Sequence, residues 1–283
     1  MIKFVNAKLN LGLNIVRKRE DGYHDLETVF YPIGKYNGTP ENPEEFCDIL
    51  EITPAEHTEF KFMGREVDCP LEKNLVYKAW KIFKDEYPEL GEYQIALEKH
   101  IPDGAGLGGG SADASGVLVM LNALSGEPFS KEQLAEMALR LGADCPFFIY
   151  NEPCYAEGVG ERLVPIELDL SGWWCVLVKP DESISTKEAF AGVTPCPPLL
   201  SLRDIVRLGV AEWQGKMVNE FEGSLFPGHS MLGNIKERLL ESGAVYAAMS
   251  GSGSTVYGLF RDREEAVRVA EGFKEHYAAV CKM

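Results

Sequence analysis

A chain of 283 residues is long enough for one large domain or two ordinary ones, and its 45% hydrophobic and 25% charged residues exclude a disordered, collagenous or coiled-coil protein. With 44 acidic against 28 basic residues the formal charge is −16, and a surface of that sign repels phosphate backbones and anionic headgroups, so neither nucleic acid nor membrane is an expected partner. The seven cysteines are scattered, with no C-x-x-C pair and no Cys/His cluster at ligand spacing, which excludes a disulfide framework or zinc site and fits reduced thiols in the cytoplasm.

The opening MIKFVNAKLNLGLNIV has polar residues inside its apolar run and so lacks a signal-peptide core. No stretch approaches the roughly 20 apolar residues of a membrane span. Within that opening, residues 8–16 alternate Leu9, Leu11, Leu13 and Ile15 with Lys8, Asn10, Gly12 and Asn14, predicting a half-buried strand with one polar face. Asp21-Gly22 in REDGYHDLETVFYPI marks a turn into a second strand, giving a hairpin whose loop holds Tyr23 and His24. A Pro/Asn/Glu-rich loop over 37–48 precedes short strands that run to about residue 68.

NLVYKAWKIFKDEY sets Leu75, Ala79, Ile82 and Phe83 at helical spacing behind an Asn74 N-cap, predicting a helix over 74–87. EYQIALEK alternates Tyr93, Ile95 and Leu97 as a strand and leads directly into IPDGAGLGGGSADAS. Residues 111–124 are apolar nearly all round and predict a buried helix. Ser130 with Gln133 forms a capping-box pattern for a helix over 131–141, ended by Gly142. GADCPFFIY reads as a turn at Asp144 followed by an apolar strand.

The pattern restarts after 150–165, dividing the chain into domains 1–155 and 156–283. The second half reads as a strand in WWCVLVKP, helical stretches near 201–208, 212–222 and 231–242, and the strand, glycine turn and strand of VYAAMSGSGSTVYGLF. An amphipathic helix with Ala266, Val269, Ala270 and Phe273 on one face closes it. Strands and helices alternate without a regular βαβ rhythm, so the class is α+β.

A glycine loop lets several backbone N–H groups converge on one anion, and a helix that follows adds its positive dipole end. The stretch 101–115 therefore reads as a phosphate cradle with Ser111 supplying a hydroxyl. Gly104, Gly106 and Gly109 satisfy G-x-G-x-x-G, yet about 100 residues precede it and no acidic strand end follows, which argues against a nicotinamide-dependent oxidoreductase. No lysine follows the glycines, so it is not a Walker loop either. Lys8, on the same strand face as Asn10, is a candidate to supply the missing cation; a solvent-facing lysine is the other reading. Asp144 reads equally as a turn former or a partly buried catalytic carboxylate. Tyr23 and His24 read as exposed loop residues or as recognition of a flat base. Spacing does not decide the role of EGVGERL or MSGSGSTVYG.

Taken together, the polar-faced first strand, PDGAGLGGGSADAS and MSGSGSTVYGLF resemble the galactokinase, homoserine kinase, mevalonate kinase and phosphomevalonate kinase (GHMP) superfamily, in an order that covers nearly the whole chain. Within it, AKLNLGLNIVRKREDGYHDLETVF, LGADCPFFI and AEGVGERL are similar to the kinases of 4-diphosphocytidyl-2-C-methyl-D-erythritol in the non-mevalonate isoprenoid pathway.

The resemblance implies an N-terminal ribosomal-protein-S5-domain-2-like domain and a C-terminal ferredoxin-like domain with the active site between them. It implies ATP as co-substrate with Mg²⁺ alongside, a small-molecule alcohol as acceptor, and a monomer or weak homodimer. It makes Lys8 and Asp144 the catalytic pair, Asp144 orienting the hydroxyl and taking its proton while Lys8 steadies the charge near the attacking oxygen. Asn10 would place the alcohol, Tyr23 and Phe190 would stack on cytosine, and His24 would bond its edge. Asn74 and Leu75 would line the adenine pocket. Pro102, Asp103, Gly104, Ala105, Gly106, Leu107, Gly108, Gly109, Gly110, Ser111 and Ala112 would wrap the ATP phosphates, with the Asp103 charge pointing outward. Asn219 fits the family pattern without an assigned role, and Cys145 stands where an aliphatic residue is usual. No acidic cluster near the loop identifies a metal ligand. A homoserine or mevalonate kinase is the alternative within the superfamily, and a nucleotide-binding regulator without turnover is the non-enzymatic one.

Overall fold

The alternation that opens the chain extends over 17 residues as β1 (Ile2–Lys18). The computed structural model describes residues 1–35, 46–66 and 69–283, so most of the loop expected over 37–48 lies outside the described residues. β1 pairs antiparallel with β2 (His24–Ile33) on one side and β3 (Cys47–Pro54) on the other. β4 (Glu59–Gly64), β5 (Tyr93–Lys99), β6 (Cys154–Gly158) and β7 (Arg162–Pro165) complete a seven-stranded sheet in the order β4-β5-β3-β1-β2-β6-β7. Among the described residues the β4–β5 pair is the one parallel strand pair of this sheet. β6 straddles the division expected at 155/156, and the sheet's last strand ends at Pro165.

The expected half-buried character of β1 is corrected: Lys8, Asn10 and Asn14 are as buried as the leucines between them. The polar face is covered by the glycine loop and the second domain rather than by water. Gly12 lies at a register shift, Leu11 opposing Val29 while Leu13 opposes Thr28, which is the signature of a bulge. Its φ of +71° and the approach of Leu202 Cδ2 to 2.6 Å from where a Cβ would lie make glycine the residue that fits there.

Helices α1 (Leu75–Glu86), α2 (Gly109–Leu124), α3 (Lys131–Leu139) and α4 (Cys145–Tyr150) cover one face of this sheet. There Leu50, Ile95 and Leu97 pack with Val76, Phe83, Val117 and Leu121 in one core. Asn74 caps α1 by accepting from Val76 N at 2.8 Å, and the Ser130/Gln133 capping box is present. The apolar strand expected after Asp144 is instead α4. Pro146 in its first turn favours helix initiation, Asn151 in the left-handed region ends it, and six apolar residues are too few to show a period.

The second domain comprises β8 (Trp174–Lys179), α5 (Thr186–Ala191), α6 (Leu202–Ile205), α7 (Glu220–Leu225), α8 (Ser230–Glu241), β9 (Tyr246–Met249), β10 (Val256–Phe260), α9 (Arg263–Glu271) and β11 (Tyr277–Lys282). The sheet order β11-β8-β10-β9, antiparallel throughout, is that of a ferredoxin-like domain. The helix expected over 212–222 is a short 3₁₀ turn at Val210–Glu212 and then α7, separated by a turn through Gly215. Leu9, Leu11 and Tyr31 of the first sheet share a core with Leu177, Tyr246 and Tyr257 of the second, which joins the two domains. Among the described residues no helix is long and apolar enough to cross a membrane, and Cys47, Cys145, Cys154, Cys175 and Cys281 are buried.

Candidate active site

Three backbone segments converge where the domains meet: β1, the glycine loop ahead of α2, and the glycine turn between β9 and β10. Lys8 N–H donates to Leu107 O at 3.0 Å and Thr255 N–H to Ala105 O at 3.2 Å, so the loop is held from both sides. Ser250 joins all three, since its Oγ accepts from Asn10 N at 3.2 Å and donates to Gly106 O at 2.8 Å. Asn219 fixes the C-terminal turn, donating from Nδ2 to Met249 O and Gly251 O at 2.8 Å each while its Oδ1 accepts from Phe221 N to cap α7. That gives a physical role to a residue whose pattern alone carried none.

Gly106 has φ of +73°, and a Cβ there would overlap the Ser250 carbonyl oxygen. Gly106→Ala is therefore expected to lose more than about 1 kcal/mol of stability. Thermal unfolding checks this, and a wild-type melting temperature would show that the two glycine segments are not in the close contact described.

The cleft between these segments has a volume of about 290 Å³ and is lined by Lys8, Asn10, Gly106, Gly108, Asp144 and Phe190 together with Thr28 and Phe30 of β2. Lys8 Nζ lies 3.3 Å from Asp144 Oδ2, with the lysine side chain 3% exposed and the aspartate 37%, so the carboxylate is the member of the pair that faces the opening. The ammonium also donates to Asn10 Oδ1 and to Gly106 O at 3.2 Å, and it stands 5.0 Å from the Phe30 ring centre. Asn10 Nδ2 donates to Thr28 Oγ1 at 3.0 Å, which fixes the amide orientation. Asp144 sits at the N-cap of α4 without using its side chain as a cap. Gly160 of the EGVGERL segment backs onto it, 3.7 Å from Oδ1 to the place a Cβ would take.

His24 and Phe190 come together from different domains, their rings stacked at 4.7 Å and 16°. Burial, with Lys18 adding to it, holds the His24 imidazole below its ordinary value, so the neutral ring offers one donor and one acceptor. Tyr23 is 64% exposed at the hairpin turn. Asn74 and Leu75 lie beside the first turn of α2, Leu75 Cδ1 being 3.6 Å from the Cβ position of Gly110. Pro102 and Ala105 are buried, Gly104 is exposed, and Gly108 caps α2, whose first turn holds Gly109, Gly110, Ser111 and Ala112. Cys145 is a packing residue whose thiol burial pushes up to about 12.

A buried ionic cluster beneath the loop was not among the expected site residues. Lys99 Nζ, at the end of β5, lies 2.5 Å from Asp48 Oδ2 and 2.9 Å from Asp113 Oδ2, all three side chains being at most 2% exposed. Asp48 also accepts from His100 N at 2.5 Å and Ile101 N at 2.8 Å, where the glycine loop begins. Burial works to lower the Lys99 ammonium, but Asp113 and Asp48 outweigh it and hold it above its ordinary value. Asp103, half exposed, lies 3.9 Å from Lys99 Nζ, so its charge is opposed by this ammonium. Among the described residues there is no group of three or more His, Cys, Asp or Glu side chains that could hold a metal ion.

The family model described as the GHMP kinases N terminal domain matches residues 74–152, and that described as GHMP kinases C terminal matches residues 202–279. The chain is 50% identical over 260 residues, 92% of each chain, to a 4-diphosphocytidyl-2-C-methyl-D-erythritol kinase of Parabacteroides distasonis. It is 48% identical over 273 residues, 95% of each, to the kinase of the same description from Bacteroides fragilis. A crystal structure of a 4-(cytidine 5'-diphospho)-2C-methyl-D-erythritol kinase superposes with a TM-score of 0.82 at 33% identity, covering both chains fully. The homoserine kinase of Cytophaga hutchinsonii, at 16% identity and a TM-score of 0.64 over all of this chain and 94% of its own, shares the fold. In sequence over nearly its whole length and in fold, the chain thus belongs to the GHMP kinases and, among them, to the family of 4-diphosphocytidyl-2-C-methyl-D-erythritol kinases.

Proposed function

We infer that the protein transfers the γ-phosphoryl group of ATP to the 2-hydroxyl of 4-diphosphocytidyl-2-C-methyl-D-erythritol, giving the 2-phosphate and ADP. The observation that carries this reading is the Lys8–Asp144 pair in one cleft with the glycine loop and with Phe190, on which His24 stacks. Asp144 orients the hydroxyl and accepts its proton as the new O–P bond forms and the bond from the γ-phosphorus to the bridging oxygen of ADP breaks. Lys8, buried and tied to Asn10 and Gly106, holds Asp144 in place and offsets charge at the attacking oxygen. Because the transition state of phosphoryl transfer is largely loose, such positioning contributes more than basicity.

The N–H groups of residues 102–112 wrap the nucleotide phosphates, with Asn74 and Leu75 against the adenine. Tyr23 and Phe190 stack on cytosine, His24 bonds its edge, and Asn10 places the methylerythritol. Mg²⁺ is expected to enter with the nucleotide, bound to its phosphates. ATP consumption measured against the cytidyl alcohol, homoserine and mevalonate tests the reading. Turnover with the cytidyl alcohol alone is expected, and turnover with homoserine but none with the cytidyl alcohol would overturn it.

A further inference from the structure

Phe190 sits on α5, a helix that has little of its own to fix it. Six residues are too few for a helix to be stable alone. Ser185 caps it by accepting from Glu188 N at 3.1 Å, and Ala189 is buried. The Phe190 ring meets Phe221 edge-on at 4.9 Å at the margin of the second domain's core, and stacks on His24. The further tie is ionic. His229, immediately ahead of α8, is hydrogen-bonded through Nδ1 to the Glu182 carboxylate and through Nε2 to the Glu188 carboxylate at 3.1 Å.

The two carboxylates differ in where they are anchored. Glu182 precedes α5, and its carbonyl accepts from Ser254 Oγ at 2.6 Å, which pins it to the glycine turn of the site. Glu188 is on α5 itself. The backbone of His229 is fixed as well, its N–H donating to Leu225 O at 2.9 Å beyond the end of α7. The imidazole thus connects these anchored points to α5. An imidazolium donates from both nitrogens, which matches two carboxylate acceptors. The hydrogen bond to Glu182, with that to Glu188, holds His229 above its ordinary value.

We propose that His229 is a positioning residue for the cytidyl end of the cleft, holding α5, and through it Phe190, where the base of the substrate stacks. The proposal rests on the cytidyl reading given above. Its hydrogen-bond partners are Glu182 and Glu188 rather than Lys8 or Asp144, so the effect is expected on the binding of one substrate.

Steady-state kinetics of the full chain with ATP and the cytidyl alcohol test it. His229→Ala is expected to raise the KM for the cytidyl alcohol roughly tenfold, because a small misplacement of a binding group is costly. The KM for ATP and kcat stay near wild type, the pattern of a lost binding contact rather than a lost chemical one. Glu188→Ala, which removes the other end of the clasp, gives the same pattern. In His229→Ala/Phe190→Ala the cytidyl KM equals that of Phe190→Ala alone, since no ring is left to position. An unchanged cytidyl KM in both single clasp variants, or effects at 229 and 190 that multiply, overturns the proposal while leaving the activity in place. A wild-type protein without turnover on the cytidyl alcohol overturns the activity and the proposal with it.

Discussion

Asp144→Asn is expected to slow turnover with the cytidyl alcohol at least about tenfold, a barrier increase of about 1.4 kcal/mol or more. The substitution keeps shape and hydrogen-bonding capacity but removes the proton acceptor and the partner of Lys8, 3.3 Å away. The nucleotide site is expected to be spared. In the proposed site residues 102–112 would reach the phosphates through backbone N–H groups, and the buried supports of the loop are Asp48, Lys99 and Ser250 rather than Asp144. The discriminating measurement is therefore kcat together with ATP affinity in the same preparation. A lowered kcat with unchanged ATP affinity fits a catalytic carboxylate. An unchanged kcat would make the Asp144 carboxylate structural, serving only as the ion-pair partner of Lys8.

Lys99→Met has the largest expected effect on stability. It leaves Asp48 and Asp113 buried without the ammonium that holds them, and breaking a buried pair in this way costs about 3–5 kcal/mol. For a chain of this size that corresponds to a melting temperature lower by roughly 10 °C. Burial, with Asp48 adding and Lys99 opposing, holds the Asp113 carboxyl well above the ordinary carboxylate range. A folded-state pKa raised in this sense means that the folded protein keeps a proton the unfolded chain has released. Its stabilising contribution is complete at pH below the ordinary carboxylate range and is lost as pH rises through the raised value. Without Lys99 the Asp113 value rises further, so the deficit of the variant is expected to shrink on acidification from neutral pH. Lys99→Met/Asp113→Asn, with one buried charge fewer, is expected to recover part of the loss. Melting temperatures equal to wild type at neutral pH would show that the cluster is not desolvated.

What the sequence made legible depends on how far apart the cooperating residues lie. The glycine loop, the helices that flank it and the capping box are local patterns, and local chemistry dictates them. The proposed catalytic pair is not local: Lys8 and Asp144 lie on different elements of the first domain, and only the resemblance, not spacing, joined them. The stack of His24 on Phe190 crosses from β2 to α5 in the other domain, so no window along the chain contains it.

Lys99 is a different case, because its signal was present. It continues the odd-numbered face of Tyr93, Ile95 and Leu97, and that parity points a lysine into the core. Asp113 and Asp48 then follow as the carboxylates that a buried ammonium requires. The buried polar face of β1 escaped notice for the opposite reason. Alternation reports two faces but not what covers them, and here the cover comes from the loop and from Ser250, about 240 residues away in the chain. β11 was missed because its six residues carry little alternation and gain their place by pairing with β8.

The most direct test of the central claim is a structure of the protein with a non-hydrolysable ATP analogue and the cytidyl alcohol bound together. The 2-hydroxyl is expected within hydrogen-bonding distance of Asp144, the γ-phosphate on the N–H groups ahead of α2, and cytosine against Phe190 and Tyr23. An acceptor hydroxyl held away from Asp144, or a nucleotide bound elsewhere than the 102–112 loop, would contradict it.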